Sequence, residues 1–347
     1  MNTRILGNFC KSSIALTIAA ISSTTLPVQA ALLVSSIDDN SIKQYDDTTG
    51  AYIRDFVTSG SGGLLNPQGL TLGPDGNLYV SSSGTNSVKK YDGTTGSYVN
   101  DFVVSGSGTL YQPNGLAFGP DNNLYVGNTI LASLNGSTSS AVIKYDGTTG
   151  DFLSEVVDGI QDPFGSLSPY KDVAFDSKGD LYTTFFGFRS GLGSVNKYDP
   201  ITGEGIGGFS AGGRPFGLAI SSNDDIYASD LSGAVFRQTT TGLVQAFIPN
   251  GGELNFGTRD LTFGTNGNLL VVNSSTNSVK EFDSETGDFL GNFVASGSGG
   301  LSSPSYLTTA NVPVPEPSSV LGIAALGGLF VGGALQRRVN SRKKPSI

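Results

Sequence analysis

The 347-residue chain contains no histidine and no tryptophan, and only one cysteine, Cys10. Without imidazole there is no Ser-His-Asp triad, no Cys-His pair and no His-ligated zinc. Cys10 lies in an N-terminal segment read below as a removed signal, so the mature chain has neither a disulfide nor a thiol nucleophile. Charge is also sparse, at 14% of residues, whereas glycine numbers 49. With 37% apolar residues beside that glycine, the composition is a turn-rich β composition able to form a core, not a disordered one.

The two ends read as addresses. Residues 1–30 have a basic start (Arg4, Lys11), a short apolar run from Ile14 to Ile21, and Val28-Gln29-Ala30 as a small-residue cleavage site. The run is too short for a membrane span of about 20 residues. At the other end, residues 312–318 form a Pro-rich linker containing Pro315-Glu316-Pro317. An uncharged stretch with five glycines follows, Val320 to Leu335, and then Arg337, Arg338, Arg342, Lys343 and Lys344. This pattern predicts a transmembrane helix over 319–336 with a basic cytoplasmic tail over 337–347. The order of motif, helix and basic tail resembles the PEP-CTERM sorting signals of Gram-negative bacteria. The resemblance implies an exosortase-type membrane protease as partner. It also implies delivery to the cell surface or an exopolysaccharide matrix, with the chain at least transiently anchored in the inner membrane.

All 29 acids lie between the two terminal segments, which hold seven of the 20 bases, so thirteen bases face 29 acids and the body carries about −16. Phosphate backbones repel such a body, which excludes nucleic acid as a partner.

A repeat of about 46 residues runs through the middle. Its opening strand is marked by Leu70, Leu116, Val173, Leu218, Leu261 and Leu307, spaced 46, 57, 45, 43 and 46 apart. A second strand, of the NLYV kind, recurs at Leu33, Tyr79, Tyr125, Tyr182, Tyr227 and Leu270. A third, KYDxTTG, recurs at Tyr45, Tyr91, Tyr145, Tyr198 and Phe282, with a degenerate copy at Arg237 to Gly242. These are short alternating runs rich in Val, Tyr and Phe, separated by Gly, Asp and Asn where hairpins need positive φ. Four such strands make a small sheet with two apolar faces, which only radial stacking can bury. The expected fold is therefore all-β: a six-bladed β-propeller of four-stranded antiparallel blades over residues 31–311. The first blade is completed from both termini, because Ala31 begins at a second strand and Ser305 to Ala310 is a first strand with nothing after it.

The motif PNGLAFGPDNNLYV and its copies resemble NHL-type repeats and, more loosely, streptogramin-lyase and sugar-lactonase propellers. The lyase resemblance implies a catalytic histidine, which this chain lacks. The lactonase resemblance implies a divalent cation in the central channel, held from the residue before Gly in each PxG turn. Those positions are Gln68, Asn114, Lys171, Phe216, Arg259 and Ser305. Only Asn114 fits, and Lys171 and Arg259 are cations where hard oxygens are wanted. With Asp172, Asp260, Asn128, Asp230 and Asn273 turned inward, the set would hold Ca²⁺ weakly at best. No other cofactor and no catalytic residue is expected. Asp46, Asp92, Asp146, Asp199 and Asp283 all have a turn explanation.

Function in a repeat protein is sought where copies differ. The second-to-third-strand loops after Tyr125 and Tyr182 are lengthened, and so is the connection before Val173. All three would emerge on one face. Phe164, Tyr170, Phe185, Phe186, Phe188 and Arg189 form the least repeat-like cluster, which Arg214, Phe216 and Arg259 join from neighbouring blades. Aromatic faces beside Arg suit sugar rings or a partner protein. The sequence therefore points to an exported, non-catalytic binding or scaffold module for polysaccharide or a surface protein. A metal-dependent lactonase or hydrolase is the alternative.

Overall fold

A computed structural model describes residues 28–129, 141–157, 170–186 and 193–313. The strands follow the repeat. The first blade takes β1 (Val28–Ser36), β2 (Ser41–Asp46) and β3 (Tyr52–Val57), and the second β4 (Pro67–Leu72), β5 (Leu78–Ser82), β6 (Ser87–Tyr91) and β7 (Tyr98–Val103). The third holds β8 (Leu116–Phe118), β9 (Leu124–Asn128), β10 (Ala141–Tyr145) and β11 (Phe152–Val157). The fourth holds β12 (Tyr170–Phe175), β13 (Leu181–Phe186), β14 (Gly193–Tyr198) and β15 (Gly205–Ser210). The fifth holds β16 (Pro215–Ile220), β17 (Ile226–Asp230), β18 (Val235–Gln238) and β19 (Val244–Ile248). The sixth holds β20 (Thr258–Phe263), β21 (Leu269–Asn273), β22 (Ser278–Phe282) and β23 (Phe289–Val294), and the chain ends its described part in β24 (Pro304–Pro313).

Six four-stranded antiparallel sheets result, and the first has the order β24-β1-β2-β3. Val34 faces Leu307 and Leu33 faces Thr308 across β1 and β24, so the two ends of the chain share one blade. The innermost strands β24, β4, β8, β12, β16 and β20 touch in that order and back to β24, closing the ring. The paired strands run slightly past the expected 31–311: Val28, Gln29 and Ala30 pair with Pro313, Val312 and Asn311. The signal segment before Val28 and the helix expected over 319–336 lie outside the described residues. Among the described residues no helix is long and apolar enough to cross a membrane.

The apolar faces are buried between blades. Six core clusters lie at the six blade-to-blade interfaces, for example Tyr79, Val88 and Phe102 of blade 2 against Leu124, Val126 and Ile143 of blade 3. The Asp-x-Thr-Thr-Gly hairpins lock these interfaces. In blade 2 the Asp92 Oδ1 accepts the Thr94 and Thr95 N–H groups, at 3.0 and 2.8 Å, as an Asx turn does. Gly96 then takes φ +76°, and a Cβ placed on it would stand 1.7 Å from the Phe56 carbonyl oxygen on the outer strand of blade 1. The degenerate copy in blade 5 lacks this docking, because a Cβ on Gly242 (φ +86°) would meet nothing within 4 Å. Gly96→Ala should therefore cost about 2–4 kcal/mol, combining left-handed strain with a forced shift of backbone. Gly242→Ala should cost about 1 kcal/mol, the strain alone. Equal losses of the two variants in denaturant titrations would refute this blade-locking role.

Candidate functional site

Every inner strand bulges near its start. Pro67 faces Ser82 and Leu70 faces Val80, so Gln68 and Gly69 together oppose one residue, Ser81. The same two-against-one register places Lys171 and Asp172, Phe216 and Gly217, Arg259 and Asp260, and Ser305 and Tyr306 in bulges. In blade 3 the pair is Asn114 and Gly115, both bonded to Gly127, whose N–H donates to Gly115 and whose carbonyl accepts from Asn114. Such bulges re-aim side chains, and here all six re-aim toward the central channel. The result is two stacked rings. Gln68, Asn114, Lys171, Phe216, Arg259 and Ser305 form the mouth, and Gly69, Gly115, Asp172, Gly217, Asp260 and Tyr306 form the layer beneath.

The lower ring alternates small and large for a steric reason. A Cβ on Gly115 would lie 2.1 Å from Asp172 Oδ1, and one on Gly217 would lie 2.6 Å from Asp260 Oδ1. Tyr306, from β24, spans the channel and donates its hydroxyl to the Lys171 carbonyl on β12, the strand opposite. Its ring packs 5.3 Å from that of Phe216. The two aspartates knit neighbouring blades. Asp172 accepts the Val173 N–H at 2.9 Å and, from blade 5, the Leu218 N–H at 2.7 Å. Asp260 Oδ2 accepts the Leu307 N–H of blade 1 at 3.1 Å, while its Oδ1 meets no protein N–H or O–H donor.

Both carboxyls are buried and they bond to each other. Burial pushes Asp172 up to about 7, against the pull of the Leu218 and Val173 N–H groups. Asp260 rises well above the usual carboxylate range through burial and the Asp172 charge beside it. The two carboxyls are thus biased, as a pair, toward their protonated forms. Below this layer the channel opens into a cavity of about 280 Å³ lined by both aspartates, Tyr306 and the apolar Leu70, Leu116, Leu218 and Leu261.

Most cations elsewhere are neutralised by carboxylates, although among the described residues Arg54 and Lys178 also make no ion pair, Arg54 Nε donating to Gln44 Oε1 at 2.7 Å instead. Lys43, Lys89, Lys90, Lys144, Lys197, Arg237 and Lys280 each have an Asp or Glu oxygen within 3.5 Å. The mouth differs. Among the described residues Lys171, Arg214 and Arg259 make no ion pair. The Lys171 ammonium donates to Asn114 Oδ1 at 3.3 Å, and Arg259 Nε donates to Ser274 Oγ at 3.3 Å. Arg259 lies 4.9 Å over the Phe216 ring, and Arg214, just ahead of β16, lies 5.0 Å over Phe186. Burial, with Arg259 and Arg214 close by, lowers Lys171 to about 8.

The expected aromatic cluster is thereby divided. Tyr170 and Phe185 face each other across β12 and β13 with ring centroids 5.9 Å apart, and both are buried in the core between blades 3 and 4. They cannot touch a ligand, because alternation along a strand puts these two side chains on the packed face. Phe216 is 97% buried as a channel plug against Tyr306, so its ring supports Arg259 rather than offering a free stacking face. Phe186 and Arg214 stay accessible. Phe164, Phe188 and Arg189 lie outside the described residues.

The candidate metal ligands do not converge. Asn128 accepts the Tyr111 N–H at 2.7 Å and donates to the Thr109 carbonyl at 2.9 Å, which fixes the loop before β8. Asp230 caps a turn through Ser232 N–H at 2.7 Å and takes the Arg214 N–H. Asn114 is spent on the Gln112 carbonyl, Thr129 and Lys171. Asp172 and Asp260 meet, but as a buried pair raised toward protonation, each next in sequence to a cation, Lys171 and Arg259. Among the described residues no three acidic or thiol side chains gather as a metal cage. This donor set does not suit a divalent ion, and no chemistry is derived through one.

A family profile for the PEP-CTERM protein-sorting motif matches residues 313–338. The chain carries a PEP-CTERM sorting motif. The motif implies export to the cell envelope and processing by an exosortase-type system. No curated protein sequence matches the chain. Solved structures match the propeller instead. A chain of the nidogen–laminin complex has a TM-score of 0.61 at 14% identity, covering 81% of this chain and 98% of that one. A protein of unknown function from Bacteroides caccae gives 0.59 at 16%, covering 83% and 100%. The periplasmic gluconolactonase PpgL of Pseudomonas aeruginosa gives 0.53 at 18%, covering 82% and 99%. At such identities the likeness shows fold alone, and propellers host many unrelated activities.

Proposed function

We propose that this PEP-CTERM propeller is a non-catalytic binding module of the cell envelope or its extracellular matrix, and that the channel mouth is where it binds. The observation that supports this reading is the gathering of three cations without carboxylate partners, Lys171, Arg214 and Arg259, close enough that the two guanidiniums lower the Lys171 pKa. An unpaired cation costs stability, so three together are better explained by a partner than by packing. The signal segment over 1–30 would start export. The helix over 319–336 would hold the chain in the inner membrane until the sorting protease acts near Pro315-Glu316-Pro317. The lactonase alternative shares the fold, but its metal would have to sit among these cations.

Fractionation of the producing cells tests the reading. Full-length wild type should sediment with the envelope polysaccharide and surface-protein fraction. The triple variant Lys171→Gln/Arg214→Gln/Arg259→Gln should move by about ten-fold or more into the soluble fraction. Unchanged sedimentation of the variant would remove the mouth as the binding site. Stoichiometric metal in the purified protein, together with lactone turnover, would favour the enzyme.

A further inference from the structure

Resting on that reading, we infer that the ligand is an acidic sugar unit: its carboxylate is held by Lys171, Arg214 and Arg259 and its hydroxyls by the uncharged half of the mouth. The six mouth positions divide by chemistry around the ring. Lys171, Phe216 and Arg259 are consecutive on β12, β16 and β20, and Arg214 enters beside them from the connection before β16. Ser305 on β24, Gln68 on β4 and Asn114 just before β8 carry hydrogen-bonding groups without charge, of which Gln68 is the accessible one. Ser305 already donates to Gln68 Oε1 at 2.9 Å, and Asn114 Oδ1 already faces Lys171. A ligand that is anionic on one side and hydroxylated on the other matches this division. A guanidinium over a ring retains N–H groups for a carboxylate: Arg259 over Phe216 has spent only its Nε, on Ser274, and Arg214 lies over Phe186.

The floor of the mouth is built not to repel an anion. Were Asp172 and Asp260 both ionised, two negative charges would stand directly beneath the site and neutralise the cations from below. Packed together and buried, they carry less than that double charge, and the Asp172 oxygens are met by the Val173 and Leu218 N–H groups. The charged and titratable groups at the site are Lys171 and Asp172 from β12, Arg259 and Asp260 from β20, Tyr306 from β24, and Arg214 before β16 with Asp230 of β17, which accepts the Arg214 N–H. β4 and β8 contribute none there, only Gln68, Gly69, Asn114 and Gly115. The acidic body limits the ligand in another way. At about −16, it repels a continuous polyanion away from the mouth over roughly a Debye length, about 8–10 Å. Isolated or terminal acidic units therefore bind better than long uninterrupted acidic runs.

Calorimetric titration of the full-length protein with three matched probes tests this: trigalacturonate, its full methyl ester, and triglutamate. Trigalacturonate should bind, and the ester, the same sugar without charge, should bind at least about ten-fold more weakly. Lys171→Gln and Arg214→Gln should each weaken trigalacturonate about ten-fold, and Lys171→Arg should retain most of the affinity, with unchanged melting curves certifying the fold. Ester binding equal to that of the acid, indifferent to Lys171→Gln, would overturn the acidic class while leaving a sugar-binding module standing. Triglutamate binding as tightly as trigalacturonate would assign the mouth to acidic polypeptide instead. Silence from all three probes, while the protein still sediments with the envelope, would remove the acidic ligand but not the binding role. Silence with no sedimentation would remove both.

Discussion

A chain ending at Ser303, without β24, should fail to fold cooperatively. β24 supplies the inner strand of blade 1, and its loss leaves β1 with an open edge along Val28 to Ser36. It also removes Tyr306, Leu307 and Ala310 from two different core clusters, at about 1.5–3 kcal/mol for each large side chain. Asp260 would lose its Leu307 N–H partner, and Tyr306 would no longer brace the channel against Lys171. Together these losses reach the whole stability of an ordinary domain, about 5–15 kcal/mol. The complementary experiment keeps every strand and moves the break. A circular permutant joining Pro313 to Val28 through a short linker, and opened at Gly106 between blades 2 and 3, should show the wild-type circular dichroism and melting temperature. If the shortened chain melted as sharply as the full one, the closure between the termini would not be what holds the ring.

The closure was legible because strands announce themselves by alternation, and because a blade that lacks its first strand at one terminus can be counted against a spare strand at the other. Leu33 and Leu307 were sufficient markers. The blade-locking hairpins were equally legible: five Asp residues in the same five-residue turn could only be structural. The candidate site was legible in part. Arg214, Phe216 and Arg259 stood out by differing from their repeat equivalents, and the structure brings all three to one end of the channel. Tyr170 and Phe185 stood out for the same reason yet are core, because departure from a repeat does not tell which face of a strand a residue occupies. Lys171 was noted in the sequence only as an obstacle to a metal, and Tyr306 was not noted at all. Both could have been found by writing the six inner strands in register. The position two residues after each strand's start, and Gly115 just before β8, would then have shown one layer reading Gly, Gly, Asp, Gly, Asp, Tyr. The bulge that turns this layer inward depends on hydrogen bonds to the second strand, which no single segment displays.

Asp260→Asn should flatten the pH dependence of stability between pH 5 and pH 8. In the unfolded chain both aspartates ionise near 3.9, while in the fold Asp172 is raised to about 7 and Asp260 is raised as well. Their folded pKa values thus lie above the unfolded ones. The stabilisation they provide is complete below about pH 4; the Asp172 share is lost as pH rises through about 7, and the Asp260 share is lost as pH rises through its own raised pKa. The slope is about 1.4 kcal/mol per pH unit for each proton the fold retains, so wild type should be weaker at pH 8 than at pH 5 by several kcal/mol, about 3 from Asp172 and the rest from Asp260. Two other carboxyls act in a separate window. Asp75 and Asp121, which burial alone would raise, are held at about 2 by Lys90 and Lys144 and by neighbouring Asn and Tyr groups, so their contribution is lost only as pH falls below 4. Lys171, lowered to about 8, begins to lose its proton only at the top of the range and there adds slightly to stability, by about 0.4 kcal/mol at pH 8, in both proteins alike. Asparagine at 260 reproduces the protonated form: its amide N–H replaces the acid O–H toward Asp172 and its carbonyl still accepts the Leu307 N–H. The variant should match wild type near pH 5 and exceed it at pH 8. Asp172→Ala is the opposite case. It strands the Val173 and Leu218 N–H groups and should cost about 2–4 kcal/mol at every pH. Parallel stability curves for Asp260→Asn and wild type from pH 5 to pH 8 would mean that the pair is not raised toward protonation, and the neutral floor beneath the three cations would go with it.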